Sequence, residues 1–260
     1  MFDRRFAVLL LCVLFQPALL LAQDNEQALK VKVAQAVRML AAEGLVGSSG
    51  HVSARVPGTD RVLINSRDAS REVVEPQDIV TVDLNGRKIA GKDREPDEVF
   101  IHVSVYRARP DVMSVIHTHS VYATAFTVAQ KEILPVSVHG AIFADGVPEY
   151  KRAGKVMTSQ EGDDLARVLG PHRGALMRMH GAVIVGAYVE EAFCAAIQLE
   201  ENAKMQITAS ALGPVSRMTA EEVAEAIRES WIPSSIKKRW EYYAAREPQR
   251  HEGTKQGATR

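Results

Sequence analysis

Residues 112–120 read Val-Met-Ser-Val-Ile-His-Thr-His-Ser, a short apolar run that ends in two histidines one residue apart. The run over residues 112–116 predicts a buried strand, because short apolar segments with β-branched residues are typical of strands inside a sheet. Side chains two residues apart on a strand point to the same side, so His117 and His119 can present both imidazoles to one point. The stretch therefore combines an internal strand with a candidate chelating pair.

The pair alone does not separate a metal site from two ordinary strand histidines. A third histidine, His180, follows the apolar strand predicted over residues 175–179 and precedes Gly181, which permits close backbone approach. Glu98 begins the helix upstream of the pair. Imidazole is the commonest protein ligand of first-row divalent metals, and three ligands with an open position are typical of catalytic sites. Together these groups predict a metal centre.

The hydrophobic pattern around the pair indicates an α/β fold. Helices are predicted over residues 25–43, 97–109, 122–129, 159–169, 189–212 and 219–230, and strands over residues 51–56, 61–64, 78–83, 112–116 and 175–179, with a continuation at 182–185. Residues 135–155 are predicted to be rich in loops. Helices that flank a mostly antiparallel or mixed central sheet predict a three-layer α/β/α architecture.

Composition limits the classes of partner. The 260 residues carry 32 Lys and Arg against 32 Asp and Glu, so the chain has no general attraction for nucleic acid or for an anionic membrane. No Pro-, Gly- or Ser-rich linker interrupts the interior, which favours one domain over residues 23–260. We expect a small-molecule substrate and association with copies of the same chain.

The first 22 residues are typical of a secretory signal peptide. Two arginines precede the apolar stretch over residues 7–21, which is short for a membrane span and is interrupted by Gln16 and Pro17. Ala22 offers a cleavage point, and an uncleaved membrane anchor is the alternative. The expectation is export to the periplasm or secretion, with no membrane contact after cleavage.

Several motifs, in a fixed order, resemble the class II aldolase/adducin family. They are Gly50-His-Val-Ser-Ala-Arg55, Asp78-Ile-Val-Thr-Val-Asp-Leu-Asn-Gly86, the segment 94–112 that contains Glu98, Val115-Ile-His-Thr-His-Ser120 and Met179-His-Gly181. The resemblance covers residues 28–212, which would form the core, with residues 213–260 as a helical tail. It implies the fold of that family and a homotetramer.

The resemblance also implies roles for the candidate residues. His117, His119 and His180 would bind one divalent ion per subunit, zinc first and manganese as the alternative. Glu98 would ligate the resting metal and act as the acid/base. His139 lies near where aldolases of this family place a tyrosine from a neighbouring subunit, which makes it a second acid/base candidate or a loop hydrogen-bonder.

The chain departs from the sugar-phosphate aldolases at the positions that hold phosphate in that group. His51, the loop over residues 65–68 and Asp97 stand there, and a carboxylate would repel a phosphate dianion. The pattern is more similar to the branch of the family that decarboxylates hydroxylated aromatic or pyridine carboxylates. Arg67 would then bind a substrate carboxylate through two parallel hydrogen bonds, and the alternative is that it lies solvated on its loop. His51 and Ser66 would be further substrate contacts.

The sequence is compatible with three functions. The first is a metal-dependent carbon–carbon lyase that decarboxylates a hydroxy-aromatic or related hydroxy-carboxylate. The second is an aldolase that acts on a sugar, polyol or hydroxyacid. The third is a non-catalytic family member that binds a metal.

Overall fold

The computed structural model describes residues 25–257, with side chains over residues 25–247. The predicted signal peptide, residues 1–22, therefore lies outside the described residues. Within them, no helix combines the length and apolar character needed to cross a bilayer.

One eight-stranded sheet forms the centre of the fold, in the order β4-β3-β2-β1-β5-β8-β7-β6. Its strands are β1 (His51–Arg55), β2 (Val62–Asn65), β3 (Ile79–Val82), β4 (Lys88–Ala90), β5 (Ser114–Thr118), β6 (Glu149–Tyr150), β7 (Gly174–Met177) and β8 (Gly181–Gly186). All neighbouring strands are antiparallel except the parallel pair β6 and β7. The mixed sheet of the sequence prediction is confirmed.

Helices cover both faces of this sheet. They are α1 (residues 25–42), α2 (Val99–Ala108), α3 (Val121–Ala129), α4 (Ser159–Leu169), α5 (Val189–Ser210), α6 (Ala220–Ser230) and α7 (Pro233–Gly257). One buried apolar group joins α1, α3, α5 and α7 to the sheet. A second joins α2 and α4 to the opposite face. Two cores on either side of one sheet confirm the three-layer α/β/α architecture.

The central strand β5 divides its side chains between these two cores. Ile116 belongs to the first core and Val115 to the second, as the period of two along a strand requires. His117 therefore points to the same face as Val115, toward α2. Register pairs His117 with His51 of β1 on one side and with Val183 of β8 on the other.

The structure corrects the prediction at two short strands and one turn. β4 has three exposed residues and β6 has two residues, so neither carries an apolar pattern that sequence reasoning could detect. The strand predicted over residues 175–179 ends at Met177. Met179 there adopts a left-handed backbone with φ of 53°, held by a 2.9 Å bond from its N–H to Thr127 Oγ1. His180 consequently lies in a hairpin turn between β7 and β8.

The C-terminal tail packs on the core through aromatic contacts. The ring centroid of Phe193 on α5 lies 5.3 Å from the ring centroids of both Trp240 and Tyr243 on α7. Both pairs are edge-to-face, which is an arrangement that aromatic pairs prefer. Ile236 and Tyr243 are buried members of the first core. The tail is thus a packed part of the α5 layer.

Close approach of the β7–β8 hairpin to β5 requires glycine at position 181. A Cβ there would lie 1.9 Å from the carbonyl oxygen of Thr118. We predict that Gly181→Ala lowers the free energy of unfolding by at least about 2 kcal/mol, because overpacking against backbone cannot relax by side-chain rotation. Urea unfolding measures the change. Gly47→Ala is the control, since a Cβ at Gly47 meets nothing within 4 Å. Equal stabilities of the two variants would contradict the prediction.

Candidate metal centre

Four side chains from three parts of the fold converge at one end of the central strands. Glu98, His117, His119 and His180 each offer a ligand atom, and these atoms all lie within 4.8 Å of one another. The Nε2 atoms of His117 and His119 are 3.1 Å apart. Oε2 of Glu98 lies 3.9 Å from Nε2 of His117 and 3.8 Å from Nε2 of His180. The structure therefore brings together the four groups that sequence reasoning selected.

Each group is positioned by a different local feature. His117 is within β5, whereas His119 lies just beyond the strand, with its backbone N–H bonded to the carbonyl of Leu45 at 2.8 Å. His180 occupies the β7–β8 turn, and Glu98 is the residue that immediately precedes α2. The expectation that His117 and His119 share one strand is thus half correct, because β5 ends at Thr118.

Backbone carbonyls fix the orientation of two of the imidazoles. Nδ1 of His117 lies 3.1 Å from the carbonyl of Ala182, and Nδ1 of His180 lies 3.0 Å from the carbonyl of Gly154. A carbonyl only accepts, so in the neutral ring each Nδ1 carries the hydrogen and each Nε2 presents a lone pair. Such outer hydrogen bonds are typical of metal-binding histidines. For His119, the hydroxyl of Ser49 is 3.3 Å from Nδ1.

Glu98 is held in the same way. Its Oε1 accepts a hydrogen bond from the N–H of Val156 at 3.0 Å, and its side chain is almost fully buried. The other oxygen, Oε2, is left facing His117 and His180. A buried carboxylate with one free oxygen can ligate a cation and, when the cation takes another ligand, exchange a proton.

Burial keeps two of the imidazoles in the form that binds metal. Desolvation, followed by the neighbouring imidazoles His119 and His180, holds the pKa of His117 well below its usual range. Desolvation also lowers the pKa of His119 to about 4, again with His180 as the next cause. Neutral rings with lone pairs aimed at one point repel each other unless a cation lies between them.

The donor set fits a divalent ion. Ligand atoms about 2.0–2.2 Å from a tetrahedral zinc stand roughly 3.4 Å from one another, close to the spacings in this cluster. Three imidazoles with one carboxylate suit zinc, and they also suit other first-row divalent ions. A metal bound here would be held by His117, His119, His180 and, in the resting state, Glu98.

His51 lies directly behind the cluster rather than at an open surface. It is buried, and its ring centroid is 5.8 Å from that of His117 and 5.7 Å from that of His102 on α2. Nδ1 of His51 and Nε2 of His102 are buried without a hydrogen-bond partner among the described residues. His102 is held from its other side by Ser53, at 2.7 Å. A buried polar chain thus continues from the cluster toward α2.

The two loop residues proposed as substrate contacts differ in their surroundings. Ser66 is fully buried, and its hydroxyl has no partner within the described part of the chain. Arg67 has about 40% of its side chain exposed and places Nε 3.0 Å from Oδ1 of Asp97. Arg67 therefore forms an ion pair with Asp97, the carboxylate that was expected from the sequence to repel a phosphate.

His139 does not join the cluster within one chain. Its Nδ1 lies 2.8 Å from Oε2 of Glu201 on α5, and Arg239 of α7 lies 3.4 Å from its Nε2. These contacts match the alternative of a loop hydrogen-bonder. A role at the site of a neighbouring subunit stays a prediction.

Sequence reasoning missed one charged residue beside the cluster. Arg71 is 4% exposed and donates from Nε to the carbonyl of Gly50 at 3.1 Å, next to His51. Desolvation and neighbouring cationic or imidazole groups are the larger causes that lower the pKa of His51 and of His119, and the positive charge of Arg71 adds to them. Nothing in the pattern of the loop distinguishes Arg71 from its solvated neighbours, so only the folded chain reveals it.

Comparisons with known proteins identify the family of this chain. Residues 31–207 match the family model of the class II aldolase and adducin N-terminal domain. A 3,4-dihydroxyphthalate decarboxylase from Rhodococcus jostii is 32% identical over 74% of this chain and 84% of its own length. An L-fuculose phosphate aldolase from Methanocaldococcus jannaschii is 30% identical over 63% of this chain and 86% of its own length.

The fold also matches solved structures. An L-fuculose 1-phosphate aldolase from Glaciozyma antarctica superimposes with a TM-score of 0.77 at 20% identity, over 89% of this chain and 93% of that chain. This likeness concerns the fold alone.

We predict that His117→Ala abolishes metal binding. Removing the central ligand should weaken affinity by more than about 100-fold, since even residues that only support ligands contribute 10- to 100-fold. Elemental analysis after dialysis should then find near-zero metal, against one divalent ion per unaltered chain. His172→Ala is the control, because His172 precedes β7 and His180 follows it, so the two histidines lie at opposite ends of that strand. Metal content unaffected by His117→Ala would refute the site.

Proposed function

The chain belongs to the class II aldolase and adducin family, and on that premise we propose that it is a divalent-metal-dependent carbon–carbon lyase. Its reaction is decarboxylation of a hydroxy-aromatic or related hydroxy-carboxylate. The observation that carries this proposal is the convergence of Glu98 with His117, His119 and His180 within 4.8 Å. Similarity to a decarboxylase over most of both chains supports the reaction type.

The chemistry divides between the metal and Glu98. A bound divalent ion supplies a Lewis acid that stabilises negative charge on substrate oxygens as a carbon–carbon bond breaks. The bond between the ring carbon and the departing carboxylate breaks, its electron pair stays on the ring carbon, and carbon dioxide leaves. Glu98, fixed by the N–H of Val156, takes the proton of a substrate hydroxyl as the substrate binds and then delivers that proton to the ring carbon.

The carboxylates near the loop over residues 65–68 are already paired with cations. Asp97 and Asp68 are both within 4 Å of the guanidinium of Arg67. Arg94 also lies 3.2 Å from Asp68, and Lys155 lies 3.9 Å from Asp97. The proposal of a carboxylate substrate without phosphate is therefore supported by similarity to the decarboxylase rather than by an excess of negative charge at this loop.

Aldol cleavage is the second candidate function. The same metal ligands and Glu98 would break a carbon–carbon bond next to a hydroxyl group, and similarity to an L-fuculose phosphate aldolase supports this reading. A non-catalytic metal-binding protein is the third candidate. It would bind the ion and release no product from any substrate.

We further propose zinc as the bound ion, with manganese as the alternative, because three imidazoles and one carboxylate are a common zinc set. Elemental analysis of protein purified without added metal identifies the ion. Manganese or iron at one per chain, without zinc, would overturn the assignment.

Export and assembly are also proposals. Residues 1–22 are proposed as a cleaved signal peptide that directs residues 23–260, one domain with a helical tail, to the periplasm or outside the cell. N-terminal sequencing of the mature protein should begin at Gln23. A homotetramer is proposed from family resemblance, and light scattering during size-exclusion chromatography measures its mass.

The activity itself is tested by product analysis. Metal-loaded protein incubated with hydroxyaromatic acids such as 3,4-dihydroxyphthalate should release carbon dioxide, and metal-free protein should not. Release of an aldehyde fragment from unphosphorylated polyols instead would favour the aldolase. Absence of both products with a bound metal would favour the non-catalytic reading.

We predict that Glu98→Gln separates metal binding from turnover. The three histidines remain, so a metal should still bind, while loss of the proton-transfer group should lower kcat by about 100- to 10,000-fold. Glu95→Gln, three residues earlier, is the matched control. Turnover by Glu98→Gln within a few-fold of the unaltered protein would contradict the acid/base role.

A further inference from the structure

Arg71 is a buried cation whose contacts are all with backbone carbonyls. Nε donates to Gly50 at 3.1 Å, and Nη1 donates to Ser66 at 3.2 Å, to Arg67 at 3.1 Å and to Ala69. Among the residues that the structure describes, no carboxylate forms an ion pair with it. Its second terminal nitrogen, Nη2, has no acceptor in the same set of residues.

A buried charge without a counter-ion is costly in water-excluded surroundings. Desolvation lowers the pKa of Arg71, and the more distant Asp68 only partly opposes this. Carbonyl dipoles hold the guanidinium in place but do not neutralise it. The arrangement is typical of a site whose counter-ion arrives with a ligand.

Arg71 also lies close to the metal cluster. Its charge acts on the imidazoles of His51 and His119, and Gly50, which it bonds, lies against the backbone carbonyl of His117. The fully buried hydroxyl of Ser66, which has no partner among the described residues, belongs to the loop that Arg71 holds. An anion bound to Arg71 would therefore lie near the metal cluster.

We infer that Arg71, rather than Arg67, binds a substrate carboxylate, and that this carboxylate is one that the product retains. The inference rests on the proposed function and names its substrate class, a hydroxy-aromatic dicarboxylate. Arg67 is half exposed and already paired with Asp97, whereas Arg71 is buried and has free donors.

The chemistry of decarboxylation determines which carboxylate it binds. A departing carboxylate loses its charge as it becomes carbon dioxide, so a guanidinium bound to it would stabilise the ground state more than the transition state. Binding a second, retained carboxylate stabilises both states equally. Arg71 would thus lower KM with little effect on kcat.

The test compares two ligands that differ only in a carboxylate. Dissociation constants of 3,4-dihydroxybenzoate and catechol are measured by calorimetry with metal-loaded protein. In the unaltered protein, 3,4-dihydroxybenzoate should bind roughly 10- to 100-fold more tightly, the range of a charge-assisted hydrogen bond. Arg71→Gln should remove this preference and leave catechol affinity nearly unchanged. Arg94→Gln, an exposed arginine paired with Asp68, is the control and should keep the preference.

Several outcomes would overturn the inference. A preference that survives Arg71→Gln makes Arg71 only a support for its loop, and a preference lost in Arg67→Gln instead assigns the carboxylate to Arg67. If Arg71→Gln does not fold, Arg71→Met is used, since methionine has a long adaptable side chain without a charge. An unchanged preference in Arg71→Met also counts against the inference.

Activity and binding separate failure of this inference from failure of the proposed function. With 3,4-dihydroxyphthalate as substrate, Arg71→Gln should raise KM about 10-fold or more at similar kcat. If the unaltered protein releases no carbon dioxide, the proposed function fails while the ligand comparison still tests Arg71. If it binds neither aromatic ligand, glycerate against glycerol replaces that pair. The same loss of preference is expected, and its absence overturns the inference.

Discussion

The register of the central strand β5 is the constraint on which the site depends. Pairing His117 with His51 on one side and Val183 on the other directs the His117 imidazole to the α2 face. A slip of one residue would turn it into the opposite core, where Ile116 lies. The same pairing brings the β7–β8 turn against Thr118. This close contact explains why position 181 must be glycine, and it places His180 beside the metal cluster. Fold and site are therefore specified by one set of hydrogen bonds.

With a divalent ion bound, the charges of the proposed site would favour an anionic ligand. Neutral imidazoles and the single carboxylate of Glu98 would leave a bound divalent ion with one net positive charge. Arg71 adds another that the described residues do not pair. Proteins retain such uncompensated charge where a ligand completes the balance, and a hydroxylated dicarboxylate has the charge and the oxygen ligands to do so.

The sequence predicted the layers of the fold because their signals are local. The apolar run at β5, the helix over residues 159–169 and the long helix after residue 188 each carry a local signal that predicts the type of the element. The strand predicted over residues 112–116 forms two residues later, as Ser114–Thr118. The strands β4 and β6 escaped prediction because they are very short, and β4 is also exposed. Their existence depends on neighbouring strands rather than on their own residues.

The site was predictable in part for the same reason. His117 and His119 are two positions apart in sequence, and family resemblance linked them to Glu98 and His180. Arg71 could not be identified, because its burial comes from the fold of a loop against Gly50. The sequence indicated Arg67 instead, whose pairing with Asp97 is apparent only in the folded chain. The most direct test of the account is anomalous X-ray scattering from crystals of metal-loaded protein. If the four residues form a metal centre, the anomalous map should contain one metal peak, about 2.0–2.2 Å from an imidazole nitrogen of each of His117, His119 and His180. A peak elsewhere, or none at this position, would contradict it.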